Sequence, residues 1–96
     1  MTIFVTKRAY RNYTSIKARI TERWGEFVAE TFEQKIKDFL DLLEQFPQMG
    51  TVEVSEKQIH GFQVTRQTRV LYRIKANRII VLSFFDVRQH PDKKDI

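Results

Sequence analysis

The feature that most constrains this chain is a change of hydrophobic period at Phe46-Pro47-Gln48-Met49-Gly50. Before it, apolar residues recur at three- and four-residue intervals, the period of a helix. After it they alternate, the period of a strand. From Lys7 to about Arg23 the recurring residues are Ala9, Tyr13, Ile16 and Ile20, with Trp24 at the end as a plug, and Thr6 stands where an N-cap belongs. The basic residues between them (Lys7, Arg8, Arg11, Lys17, Arg19) read most simply as a solvated face. Gly25 interrupts the pattern, and Glu26 favours a new helix start through the backbone dipole. Val28, Phe32, Ile36, Phe39, Leu40, Leu43 and Phe46 then form a wide apolar stripe that ends near Gln45, before Pro47 and Gly50. Two amphipathic helices with so short a link predict a helical hairpin, and each still needs a sheet to cover its apolar face.

Strands flank the hairpin in sequence. Thr2-Ile3-Phe4-Val5-Thr6 is short and β-branched and suits an opening strand. Val52 and Val54 alternate with Glu53 and Ser55, a run too short and polar to define a strand. Phe62, Val64 and Arg66 alternate with Gln63 and Thr65 up to a tight reversal at Gln67-Thr68. Val70–Lys75 forms the next strand, and Ala76-Asn77 suits a two-residue turn because Asn tolerates positive φ. Ile79–Phe85 is nearly continuous in apolar residues, as in a central strand buried on both faces. Phe62, Tyr72, Phe84 and Phe85 are expected in the core. The expected architecture is α+β: an N-terminal strand, then a two-helix hairpin packed on one face of a small antiparallel meander. Residues 1–96 read as one domain, with 92–96 a frayed tail.

Charge is unevenly placed. Between Gly61 and Pro91 stand Arg66, Arg69, Arg73, Lys75, Arg78 and Arg88 against the single acid Asp86, whereas the rest of the chain is neutral on balance, the whole carrying a net charge of +5. A field concentrated on one part of a small protein argues for an anionic partner, a nucleic acid or an acidic polypeptide. Other chemistry is excluded. There is no cysteine, His60 and His90 have no ligand at metal-binding spacing, and the three glycines form no phosphate loop. No serine sits in a recognisable nucleophile elbow. No metal or cofactor is expected. The N-terminus has no run suited to a signal peptide and no segment suits a bilayer span, so no membrane role and a cytoplasmic location are expected.

The arginines carry what chemistry remains. Arg69 and Arg73 lie four apart and share one side of a strand. Arg66 precedes the reversal and Arg88 follows the last strand, so the start of one strand should bring Arg69 close to Arg88 at the end of its neighbour. Guanidiniums grouped without local counter-charge suit bidentate phosphate binding; in the plainer reading each pairs with a helix carboxylate such as Glu22, Glu26 or Glu30. His90 is either a proton donor or base beside that group or a neutral turn residue before Pro91.

Three motifs in this order resemble the RelE/ParE superfamily of bacterial toxin–antitoxin toxins. They are Phe46-Pro47-x-Met49-Gly50 after the second helix, Arg69-Val70-Leu71-Tyr72-Arg73-Ile74 on a strand, and Asp86-Val87-Arg88-Gln89-x-Pro91 at the close. The resemblance spans essentially the whole chain. It implies a compact toxin neutralised by a wrapping antitoxin, expected to be acidic and partly disordered. RelE-like members cleave mRNA in the ribosomal A site, whereas ParE-like members inhibit DNA gyrase without nuclease chemistry. In RelE-like terms Arg69 and Arg88 would hold the scissile phosphate, with His90 or Arg66 assisting proton transfer, and Arg66, Arg73 and Gln89 would bind phosphate or partner. Two departures are plain: the preceding strand carries Gly61-Phe62-Gln63-Val64-Thr65 in place of lysines, and no tyrosine follows Pro91. The reading is a type II toxin, RelE-like in activity, with gyrase inhibition or antitoxin binding alone as alternatives.

Overall fold

The structure, a computed structural model, describes residues 1–88. Its elements are β1 (Thr2–Val5), α1 (Lys7–Trp24), α2 (Glu26–Gln45), β2 (Thr51–Val54), β3 (Ile59–Gln63), β4 (Thr68–Lys75) and β5 (Arg78–Asp86). The expected tail at 92–96 lies outside the described residues.

Both helices start and stop where their chemistry asks. Thr6 caps α1: its Oγ1 accepts from Ala9 N at 3.0 Å and donates to Leu82 O at 3.2 Å, so the cap also ties α1 to β5. Gly25 ends α1 by donating to Thr21 O, and its own carbonyl accepts from Ala29 N at the start of α2. Between the helices Tyr13 stacks on Phe32 at 5.8 Å, and Lys17 reaches Glu33 at 2.7 Å.

The five strands form one sheet in the order β1-β5-β4-β3-β2. All neighbours are antiparallel except β1 and β5, whose parallel pairing is possible because the hairpin and the meander lie between them in sequence. Ala76 and Asn77 make the β4–β5 turn with φ of 50° and 63°, the left-handed pair a two-residue hairpin needs.

Two strand boundaries differ from expectation. The β3–β4 reversal occupies Val64–Gln67, so Val64 and Arg66 are loop residues. The Thr65 hydroxyl holds this loop by accepting from Thr68 N at 3.0 Å, a local hydrogen bond that competes with extending the ladder. Val52 and Val54 do form a strand, because β3 presents an edge with which they pair: Thr51 faces Gly61 and Val52 faces His60.

The core lies between the helices and one face of the sheet. Ala9 and Ile16 of α1, with Phe32, Ile36, Phe39 and Leu43 of α2, meet Val70, Tyr72, Ile79, Val81 and Phe84. Each fully buried aliphatic or aromatic side chain contributes about 1.5–3 kcal/mol of transfer free energy. Phe62 packs at the margin, stacked on Phe39 at 5.1 Å, and Phe85 is half-buried on the other face. The helices thus cover one face of β5, not both. Three residues of the expected apolar stripes stay outside: Trp24 is 64% exposed and so plugs nothing, while Val28 and Phe46 are 42% and 58% exposed.

The Phe46–Gly50 turn is held by Tyr72. Its hydroxyl donates to Pro47 O at 2.9 Å and accepts from Gly50 N at 3.0 Å. Burial pushes the Tyr72 phenol up from its ordinary pKa, which keeps it neutral and able to donate. His60, also buried, stacks on the Tyr72 ring at 5.2 Å with one ring nitrogen facing Gln58 O and the other the Gln48 side chain. It is a structural histidine.

Candidate binding groove and divided arginines

The arginines of the basic segment divide between the two faces of the sheet. Strand alternation sets the division. In the β4–β5 register Thr68 faces Asp86 and Arg69 faces Phe85. Thr68 and Asp86 therefore point toward the helices and Arg69 points away. Arg88 turns back onto Asp86, so it follows the helical side. The expected approach of Arg69 to Arg88 does not occur.

On the side away from the helices, Arg69 lies across Gly61. A Cβ at Gly61 would sit 2.7 Å from the guanidinium, so the missing side chain opens the path across β3. Through it Arg69 Nη2 donates to Thr51 Oγ1 at 3.2 Å and pairs with Glu53 at 3.4 Å. Glu53 is the extra residue at a β2 register shift, and such an irregularity re-aims a side chain. The counter-charge thus comes from a residue 16 positions away, not from α1 or α2. Arg73, on the same side of β4, donates through Nε to Lys57 O at 3.0 Å. Arg78 stacks its guanidinium over Phe4, 5.1 Å from the ring centre.

On the helical side a groove of about 530 Å³ runs between the hairpin and the far end of β4–β5. One wall is Ile16, Arg19, Ile20, Arg23 and Trp24 of α1, the other the Thr65–Thr68 segment with Asp86 and Arg88, and α2 adds Val28, Thr31, Phe32 and Lys35. The floor is apolar and the rim carries Arg19, Arg23, Lys35, Arg66 and Arg88. Among the described residues lining it, Asp86 is the one carboxylate. Val87 N donates to Gln67 O at 2.8 Å, joining the Arg66 loop to the end of β5 and bringing Arg66 and Arg88 to one rim.

Arg88 holds Asp86 by three hydrogen bonds: backbone N to Oδ1 at 2.9 Å, Nε to Oδ1 at 3.2 Å and Nη2 to Oδ2 at 3.0 Å. These bonds hold the Asp86 carboxyl below the usual carboxylate range and lift the Arg88 guanidinium above its own, so both stay charged. Gln89 and His90 lie outside the described residues. Among the described residues no group of three or more His, Cys, Asp or Glu side chains is placed to hold a metal. An apolar floor under a cationic rim, its carboxylate already ion-paired, suits binding.

The readings from sequence missed Arg19, Arg23 and Lys35 as members of this groove. The one local signal is Arg19 and Arg23, a turn apart beside Ile20 and Trp24.

A family model for the ParE toxin of the type II toxin–antitoxin system parDE matches residues 3–91. The chain belongs to the ParE toxin family. As a ParE-family protein it is the toxin of a ParDE-type system, with a cognate antitoxin as partner. The RelE/ParE resemblance and the α+β architecture hold. Among solved structures, a chain of the chromosomal ParDE system of P. aeruginosa superimposes with a TM-score of 0.75 at 20% identity, covering 90% of this chain and 95% of that one. The YoeB/ParE toxin from Agrobacterium tumefaciens gives 0.60 at 17% identity, covering 90% and 98%. At these identities the likeness is one of fold. No curated protein sequence matches the chain. Among the described residues no helix is long and apolar enough to cross a membrane.

Proposed function

We propose that this ParE-family toxin acts in the cytoplasm by binding DNA gyrase, without cutting RNA. One observation carries the reading. Arg69 and Arg88, which RelE-like cleavage would need on a single phosphate, lie on opposite sides of the sheet, each bound to a carboxylate. Phosphate-directed catalysis requires cations preorganised around one developing charge, and this division disfavours it. The ParE family model supports the same direction, because gyrase inhibition is what the resemblance implies for ParE-like members. On this reading Arg66, Arg69, Arg73 and Arg88 serve as docking or structural residues, and Gln89 and His90 need no acid–base role.

The test is induced expression without antitoxin, following DNA supercoiling and translation separately in one culture. Supercoiling should fail first while translation continues, and purified toxin should inhibit gyrase in vitro. Early cutting of ribosome-bound mRNA, lost on Arg69→Ala and Arg88→Ala, would overturn the proposal in favour of an mRNA endoribonuclease. Absence of toxicity would overturn it in favour of a member that only binds its antitoxin.

A further inference from the structure

Away from the groove, on the other side of the sheet, the β4–β5 turn gathers cations that oppose one another. Ile74 and Ile79 face each other and pack on the core. Their neighbours Arg73, Lys75, Arg78 and Ile80 therefore alternate onto the face turned away from the helices. Lys75 stands directly opposite Arg78, and Arg73 opposite Ile80. Like charges on directly opposed residues destabilise a sheet, so this pair costs the isolated chain stability. Lys75 and Arg78 are exposed; Arg73 is half-buried and donates through Nε to Lys57 O at 3.0 Å, which leaves its terminal nitrogens for a ligand. Among the described residues none of the three pairs with a carboxylate, and Glu56, beside Lys57, forms no ion pair with them. Phe4 faces Ile80 across the β1–β5 ladder, and its ring is already covered by the Arg78 guanidinium at 5.1 Å.

We infer that this face binds the phosphate backbone of duplex DNA, with Arg73, Lys75 and Arg78 each contacting a phosphate. Charge complementarity selects an anion, and the backbone spacing selects one with repeated charges: Arg73 and Lys75 stand about 7 Å apart along β4, with Arg78 about 5 Å across from Lys75. A duplex carries such a row along each strand. Arginine suits the task because its fork meets phosphate bidentately, and lysine serves as a point charge. A polypeptide would need a pocket for an apolar anchor, and neither cavity of about 520–530 Å³ is lined by any of these residues. Single strands bind by stacking bases on aromatic rings, and Arg78 occupies the one ring present, Phe4. Flat, cationic and without a pocket, the face reads a charged backbone and no base sequence. The choice of DNA over RNA rests on the gyrase reading, since gyrase holds duplex DNA; the phosphate site itself follows from the residues.

The test titrates full-length toxin into a fluorescently labelled DNA duplex of mixed sequence, long enough to exceed the face, and reads anisotropy across a salt series. Binding should be micromolar at low salt, with log K falling against log salt at a slope near −3, about −0.9 for each of three phosphates. Lys75→Gln and Arg78→Gln should each reduce that slope by about one. Arg11→Gln, which removes the same charge from the exposed side of α1, should leave it unchanged. Lys75→Glu separates binding from folding: it should abolish DNA binding yet raise the melting midpoint by about 2–5 °C, because an attractive pair replaces a repulsive one. No binding, an equal loss of slope in Arg11→Gln, or retained binding in Lys75→Glu would overturn the inference. Tighter binding of duplex RNA or of a single strand would overturn the assignment to DNA, and competition by polyglutamate at equal charge would overturn it in favour of an acidic polypeptide. Gyrase is absent from every arm, so failure here and failure of gyrase inhibition are read separately.

Discussion

Tyr72 and Gly50 are joined by a hydrogen bond of 3.0 Å from the Gly50 amide to the phenol oxygen, and that bond fixes the turn at which the chain passes from helix to sheet. Tyr72 is fully buried, and its hydroxyl also serves Pro47 O. Tyr72→Phe strips a half-buried donor, Gly50 N, and a half-buried acceptor, Pro47 O, of their partner while keeping the ring. The expected cost is about 1–3 kcal/mol. Thermal unfolding followed by circular dichroism should show a fall of at least about 5 °C for a domain of this size. An unchanged midpoint would mean water replaces the hydroxyl.

Two glycines should respond differently to the same added methyl. At Gly50 a Cβ would meet Gly61 O at 2.7 Å and the Tyr72 hydroxyl at 2.8 Å, one of them backbone and the other fully buried. Gly50→Ala should cost about 2 kcal/mol or more. At Gly61 the obstacle is the tip of the Arg69 side chain, which can swing away. Gly61→Ala should cost about 1 kcal/mol or less, the scale of one loosened ion pair. Urea denaturation of both variants measures the contrast, and equal losses would contradict it.

The Lys17–Glu33–Lys37 cluster sets a pH dependence. Hydrogen bonds from Lys17 and then Lys37 hold the Glu33 carboxyl below its usual range, and the bond to Glu33 lifts the Lys17 ammonium above its own. A depressed carboxyl contributes stability above its unfolded pKa of about 4.3, and that contribution is lost as pH falls through the folded value. The raised lysine contributes fully below about 10.4, and its share is lost as pH rises through the folded value. Wild type should therefore exceed Glu33→Gln in stability near neutral pH, with the gap closing in acid. A gap that persists below pH ~3 would show that Glu33 acts through packing.

Ser83 offers a gain. Its hydroxyl is fully buried and has no hydrogen-bond partner among the described residues. Replacing it with the nearly isosteric Ala removes a desolvated polar group without breaking a bond. Ser83→Ala should leave stability unchanged or raise it by up to about 1 kcal/mol. A clear loss in thermal denaturation would reveal a partner for the hydroxyl.

Much of this fold is visible before any coordinates. The helix limits follow from local chemistry: Thr6 caps, Gly25 breaks, and the Phe46–Gly50 motif ends the second helix. The Ala76-Asn77 turn follows from the ease with which Asn takes positive φ. The candidate groove was visible only in part. Arg66 and Arg88 stand out by charge, but Arg19 looks like any solvated helix residue and Trp24 like a core residue. A helical wheel shows that two residues share a face, not which end of that face the sheet leaves open.

Period and punctuation, local properties of the chain, determined by themselves the order of elements other than β2, the α+β class and the surplus of positive charge between Gly61 and Pro91. Tertiary structure alone decided where that charge acts. Whether Arg69 and Arg88 meet depends on the β4–β5 register and on alternation across the sheet, where a shift of one residue exchanges the faces. Whether Arg69 has a counter-ion depends on β2 pairing with β3, on the Glu53 irregularity and on the gap left by Gly61. These are relations between distant residues, set by the hydrogen-bonded ladder, and no window of sequence contains them.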